Sequence, residues 1–99
     1  MTSTAVNIGT LITRNPKIRG GRPVIAGTGM AVRTIVGWYQ LGMSAEEIAA
    51  EYPHLNLAQV YAALTYYHAN RAEIDADMEE EAAEYDRLEK EYYLKKNRQ

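Results

Sequence analysis

Apolar residues recur along this chain with two periods, and the change from one to the other divides it. Over residues 8–32 the apolar pieces are short and β-prone: Thr10-Leu11-Ile12-Thr13, Pro23-Val24-Ile25 and Met30-Ala31-Val32. Turn signals separate them, at Asn15-Pro16, Gly20-Gly21, Gly27 and Gly29. The pattern predicts two or three short strands. A two-stranded ribbon is marginal in water by itself, so this one must pack on helices or pair with a second copy.

From residue 33 the period becomes helical. Ile35, Val36 and Tyr39, with Trp38 at its border, give an apolar face to a helix over about 33–41. Gly42 follows where a left-handed C′ residue belongs. Ser44-Ala45-Glu46-Glu47 reads as a capping box opening a second helix, with Ile48, Ala49 and Tyr52 on one side. Pro53 ends it, since the residue before proline avoids the α region. Asn56 then caps a third helix whose stripe is Leu57, Val60, Tyr61, Leu64 and Tyr67 or His68.

Residues 72–99 are charged and contain neither Pro nor Gly, so they read as helix. Met78, Tyr85 and Tyr92 are spaced by seven, with Ala82 and Leu88 between them. That is a seam of about two heptads, shorter than the three or four that specify a coiled coil. The third helix is free to run on into this stretch as one long helix. The tail, Lys95 to Gln99, is expected to fray.

The expected fold is therefore α+β and mainly α: a short N-terminal β ribbon, a three-helix helix-turn-helix body and a long C-terminal helix. Residues 1–9 form a flexible N-terminus, 10–71 the ribbon and body, and 72–99 a charged helical extension. Ninety-nine residues make one domain with a small core, so exposed apolar stripes are candidates for burial in a dimer. There is no Phe; eight Tyr and Trp38 carry the aromatic surface.

Charge sharpens this picture. Net charge is −2, but residues 1–45 hold five bases (Arg14, Lys17, Arg19, Arg22, Arg33) and no acid, while residues 46–99 hold thirteen acids and six bases. A basic half on an acidic whole suggests two different partners; the plain alternative is one domain whose charges fell unevenly. Absence of cysteine excludes a disulfide framework, a thiolate zinc site and a Cys nucleophile. Residues 1–10 have no basic start and no long apolar run, so no signal peptide is expected. With no stretch near the ~20 apolar residues of a membrane span, the expected location is the cytoplasm.

Two capped helices joined across Tyr52–Asn56 form the plan of a helix-turn-helix, in which the helix from Leu57 would enter a major groove. Gln59 is then the base-reading candidate, because Gln bonds adenine bidentately; Ala58, Ala62 and Thr65 share or border its face. Against this, residues 57–70 contain no Lys or Arg, and Glu46, Glu47 and Glu51 precede them. Phosphate neutralisation supplies much of the affinity for DNA. The charge would have to come from Arg14, Lys17, Arg19, Arg22 and Arg33, or from a bound partner. The same basic ribbon is equally a solvated hairpin with a protected edge.

Enzymatic constellations are missing from the pattern. His54 and His68 have no third ligand at metal spacing, Ser44 is accounted for by capping, and Glu79-Glu80-Glu81 reads as a solvated face. Gly27-Thr28-Gly29 lacks the lysine and the strand–loop–helix setting of a phosphate loop. No catalytic residue, metal or cofactor is expected.

Ile12-Thr13-Arg14-Asn15-Pro16, Gly20-Gly21-Arg22-Pro23-Val24-Ile25, Gly27-Thr28, Val32-Arg33, Gly42-Met43-Ser44 through Glu47-Ile48 to Glu51-Tyr52-Pro53, and Val60-Tyr61-Ala62-Ala63-Leu64 together resemble domain-of-unknown-function family 433 over about residues 11–70. The resemblance implies a homeodomain-like or winged helix-turn-helix protein with an N-terminal β element. It further implies an antitoxin that neutralises a toxin of PIN-like nuclease fold and represses its own promoter. Where members often carry Arg after the Gly-Thr pair, this chain has Gly29. In an antitoxin the acidic extension would cover a basic cleft on the toxin, with Met78, Tyr85, Leu88 and Tyr92 as partner-binding candidates. A homodimer is expected, because such operators are two-fold and the ribbon and Tyr-rich seam need partners. The alternative is a protein-interaction or assembly module of helix-turn-helix shape that does not bind DNA.

Overall fold

In a computed structural model, residues 5–97 are described. Ile8–Thr10 form a single 3-10 turn, capped by the Asn7 side chain, which accepts from the Gly9 N–H. Strand β1, Ile12–Thr13, pairs antiparallel with β2, Val24–Ile25, in the register Ile12↔Ile25 and Thr13↔Val24. The third expected piece joins only through one bridge, Val24↔Ala31. It goes no further because helix α1 begins at once, spanning Val32–Gln40. Between the strands, Arg19, Gly20 and Gly21 are all left-handed, with φ of 51°, 64° and 83°. Arg19 is the non-glycine in this run, a conformation that costs roughly 1–2 kcal/mol; its Nε donates to the Gly29 carbonyl at 3.0 Å and holds the turn against the following loop.

Three helices follow with their predicted punctuation. Helix α1 ends in a Schellman arrangement: the Met43 N–H donates to the Trp38 carbonyl, the Gly42 N–H to Tyr39, and Gly42 sits at φ +99°. Helix α2 is Ala45–Glu51, opened by the Ser44–Glu47 capping box. Helix α3 is Leu57–Ala69, opened by a second, reciprocal box between Asn56 and Gln59. Helix α4, Arg71–Asn97, is separate from α3. The chain breaks at Asn70 (φ −138°, ψ 47°), so the two do not form the single long helix that was open from sequence.

The core lies where the ribbon and all four helices meet. Val32, Ile35 and Val36 of α1 share one face at helical spacing, as do Val60, Ala63, Leu64 and Tyr67 of α3. Ile25, Ala45, Ile48 and the turn residue Leu55 close the cluster, and Ile74 of α4 is fully buried in it. The first turns of α4 therefore belong to the body, and Met78 packs against the same core. Beyond Glu80 every described residue is exposed, and helix projects from the body as an arm. Its 17 residues, 81–97, span about 25 Å at 1.5 Å per residue, which accounts for the elongated extents of 70 × 29 × 25 Å. No described helix is long and apolar enough to cross a membrane.

If α4 completes the core, Ile74→Ala destabilises the protein by about 3 kcal/mol, as much as Ile48→Ala. Urea denaturation followed by circular dichroism measures both; a loss below about 1 kcal/mol for Ile74→Ala would show α4 to be an appendage.

Candidate interaction surfaces

The basic front of the chain is met by its own C-terminal helix. Glu73, Asp77, Glu80 and Glu81 follow one another on α4 at helical spacing and point at the ribbon and α1. Arg22 donates through Nε to Asp77 Oδ1 and through its Nη2 to Glu80 at 2.8 Å. Arg33 donates from Nη1 to the same Asp77 oxygen at 2.8 Å. Its Nε lies 3.1 Å from Glu81 Oε2, an ion-pair contact without hydrogen-bond geometry. Asp77 is only 7% exposed and Arg33 13%, so the carboxylate has left water only because two guanidiniums replace it.

Arg14 makes the third link. It donates to Glu73 and to the Tyr66 hydroxyl, and Tyr66 donates to the other Glu73 oxygen at 2.7 Å. Burial pushes the Glu73 carboxyl up, but the hydrogen bonds from Arg14 and Tyr66, with the Arg14 charge, outweigh it and hold the carboxyl below its ordinary range. The hydrogen bond to Glu73 in turn raises Arg14. Burial, reinforced by the bond to Glu73, raises the Tyr66 hydroxyl.

Three of the five candidate phosphate-binding bases, Arg14, Arg22 and Arg33, are thus occupied by carboxylates of the same molecule. Arg19 and Lys17 have no carboxylate partner among the described residues. The division of charge between the two halves of the sequence is, in large part, complementarity within one fold. Residue types alone do not reveal this, but the acidic spacing 73, 77, 80/81 is itself a helical stripe. Tyr66, Glu73 and Asp77 were the residues missed.

The outward face of α3 also differs from a groove-reading helix. The Gln59 side chain accepts from the Asn56 N–H at 2.7 Å, so its oxygen serves the cap rather than facing outward free for adenine. Ala58, Tyr61, Ala62 and Thr65 instead line an apolar groove of about 470 Å³, closed on its far side by Ile8, Leu11 and Ile12. Ala58 and Thr65 are where the sequence put them, on the exposed face, but what surrounds them is hydrocarbon and tyrosine rather than positive charge.

Of the four partner-binding candidates, Met78 is turned into the body. Tyr85, Leu88 and Tyr92 stand on the free arm, with 51–70% of their surface exposed. The arm holds its helix with ion pairs of its own: Arg87 bridges Glu84 and Glu91, and Lys90 meets Asp86. Among the described residues no group of three or more His, Asp or Glu is placed to hold a metal ion.

The match to a known family covers the ribbon and the three body helices: the pattern described as "Protein of unknown function (DUF433)" fits residues 12–67. The chain belongs to DUF433. The crystal structure of a DUF433 member protein from Anabaena variabilis ATCC 29413, at 2.00 Å resolution, is similar, with 34% identity and a TM-score of 0.64 over 69% of this chain and 67% of that one. No curated protein matches the chain. The DUF433 match stops at Tyr67, before the acids that pair with its own Arg14, Arg22 and Arg33.

The sign of the Glu73 shift fixes a pH effect. A carboxyl whose folded pKa is depressed stabilises the fold above its unfolded pKa, and that contribution disappears as pH falls through the folded value. Glu73→Gln therefore flattens the loss of thermal stability between about pH 5 and pH 3 relative to the parent. Parallel acid-side slopes for the two proteins would remove Glu73 from the account.

Proposed function

We propose that this chain is a non-enzymatic binding protein of the antitoxin type, acting in the cytoplasm as a homodimer that neutralises a toxin of PIN-like nuclease fold. The observation that carries the proposal is the arm. A helix of 17 exposed residues leaves the body, tied to it at the root by the Glu81–Arg33 pair, and residues 79–91 hold seven acids against two bases. Such a rod suits insertion along a basic nucleic-acid-binding cleft, where opposite charge speeds encounter and fixes the pairing. Repression of its own promoter belongs, in this proposal, to the complex. The α2–α3 unit supplies the helix-turn-helix shape, while Arg14, Arg22 and Arg33 are engaged within the chain, so phosphate contacts come mainly from the partner and from Lys17 and Arg19.

One observation favours a second role, that of an interaction module that never meets DNA. The groove beside Ala58, Ala62 and Thr65 is apolar where a DNA-reading face is polar and basic. In that role α3 holds an apolar segment of another protein.

Co-expression with the product of an adjacent nuclease-like gene, followed by co-purification and electrophoretic mobility shift on the upstream DNA, separates the two. The antitoxin proposal expects a stable complex, and salt-sensitive retardation by the complex well beyond that of the chain alone. A complex that retards no DNA leaves only the interaction module; absence of any complex contradicts the antitoxin assignment. Charge reversal at Glu79 and Glu89, which make no ion pair among the described residues, should weaken toxin binding without lowering the melting temperature.

A further inference from the structure

One face of α4 continues past the body without interruption. Ile74, Met78, Glu81, Tyr85, Leu88, Tyr92 and Lys95 follow the alternating four-three spacing of a helical seam. Its first two members are covered by the core, while Tyr85, Leu88 and Tyr92 have nothing over them. The ends of the uncovered part carry opposite charge: Glu80, Glu81 and Glu84 at the root, Lys95 and Lys96 near the tip.

We propose that this face pairs antiparallel with the same face of a second copy, with Leu88 at the two-fold axis. The inference details the homodimer of the proposed function and rests on that part of it alone. Residue 88 lies midway between 81 and 95, and within half a residue of midway between 85 and 92. A single register therefore sets Leu88 beside its own symmetry mate, Tyr85 near the other copy's Tyr92, and Glu81 opposite the other copy's Lys95. The apolar contacts and the charge contacts agree on the same axis. A parallel pair in register would instead place Glu81 against Glu81 and Lys95 against Lys95, which like-charge repulsion disfavours.

The body leaves room for this arrangement. In the antiparallel register the tip residue 97 of one copy lies level with residue 79 of the other, where α4 begins to project from the core. At that level a groove of about 730 Å³ opens between arm and body, lined by Arg22, Arg33, Glu80, Glu81, Tyr85 and Leu88. The lysine-bearing tip of the second copy would end in this groove beside Glu80, Glu81 and Glu84, which pair with Arg22, Arg33 and Arg87 but stay 53–67% exposed and so open to a further cation. Pairing covers the Tyr–Leu–Tyr stripe and leaves Asp86, Glu89 and Glu91 on the flanks and back of the pair, still available to a basic partner.

The chain has no cysteine, so single cysteines report the register directly. On mild oxidation of the full-length chain, Leu88→Cys forms a disulfide-linked dimer. Glu81→Cys and Lys95→Cys alone remain monomeric on a non-reducing gel but crosslink when mixed. Leu88→Glu weakens self-association at least ~10-fold in sedimentation equilibrium, while far-UV circular dichroism and melting temperature match the parent when both are measured at a dilution where the parent is monomeric. The parent mass rises with concentration towards twice 11.2 kDa. Crosslinking of Glu81→Cys with itself would establish a parallel pair and overturn the proposal. A dimer that survives Leu88→Glu would place the interface elsewhere, retaining the homodimer but not the arm pairing. A parent that stays monomeric throughout would overturn both.

Discussion

A single buried carboxylate ties the three parts of this fold together. Asp77 on α4 receives Arg22 from the end of the ribbon and Arg33 from the first turn of α1. Removing a carboxylate from water is unfavourable by several kcal/mol unless opposite charge and hydrogen bonds replace the water. Here the replacement comes from two segments distant in sequence, so Asp77 is stable in place only when the ribbon, α1 and α4 have all docked. Ile74, one turn earlier, adds the apolar part of the same contact. The Arg14–Tyr66–Glu73 link extends it to α3. A ribbon of two two-residue strands would be marginal alone; packed against α3, its Val24 and Ile25 are completely inaccessible to water.

The features legible in the sequence are those written locally. Ser44 with Glu47 and Asn56 with Gln59 determine helix starts through contacts three residues apart, and Gly42 ends α1 through its own left-handed backbone. The apolar stripes of α1 and α3 give their buried faces for the same reason. The break at Asn70 was legible only as the change in composition that ends the body at 71 and begins the charged helix at 72: no proline or glycine marks it, and Tyr67 to Ile74 keeps a seven-residue apolar spacing across it, so one continuous helix stayed open. Nor was the pairing of Arg14, Arg22 and Arg33, whose partners lie 44 to 59 positions away along the chain. Composition shows that such charges exist, and only the fold shows that they meet. Gln59 illustrates the same limit within one turn, since one residue can be an N3 cap or a base reader and its type suits both.

This internal neutralisation changes what the molecule offers to others. A front that looks basic in sequence is largely satisfied, and the helix-turn-helix shape survives with little free positive charge around it. What the fold does present is an uncovered helix, carrying an apolar stripe on one face and acids on its flanks. Both features suit protein partners more directly than they suit a nucleic acid. The DUF433 core, residues 12–67, supplies the platform, and the segment that follows both completes its packing and extends beyond it.

The coupling between Arg33 and Asp77 fastens α4 to the body, and a double-mutant cycle measures it. With Arg33→Met and Asp77→Leu, each single substitution leaves a charge short of one partner, Asp77 keeping Arg22 and Arg33 keeping Glu81, and is expected to cost about 2 kcal/mol in chemical denaturation. The double variant, which removes both charges together, is expected to recover much of that loss, giving a coupling energy above about 1.5 kcal/mol. Losses that simply add would contradict the claim that this buried pair fastens α4 to the body.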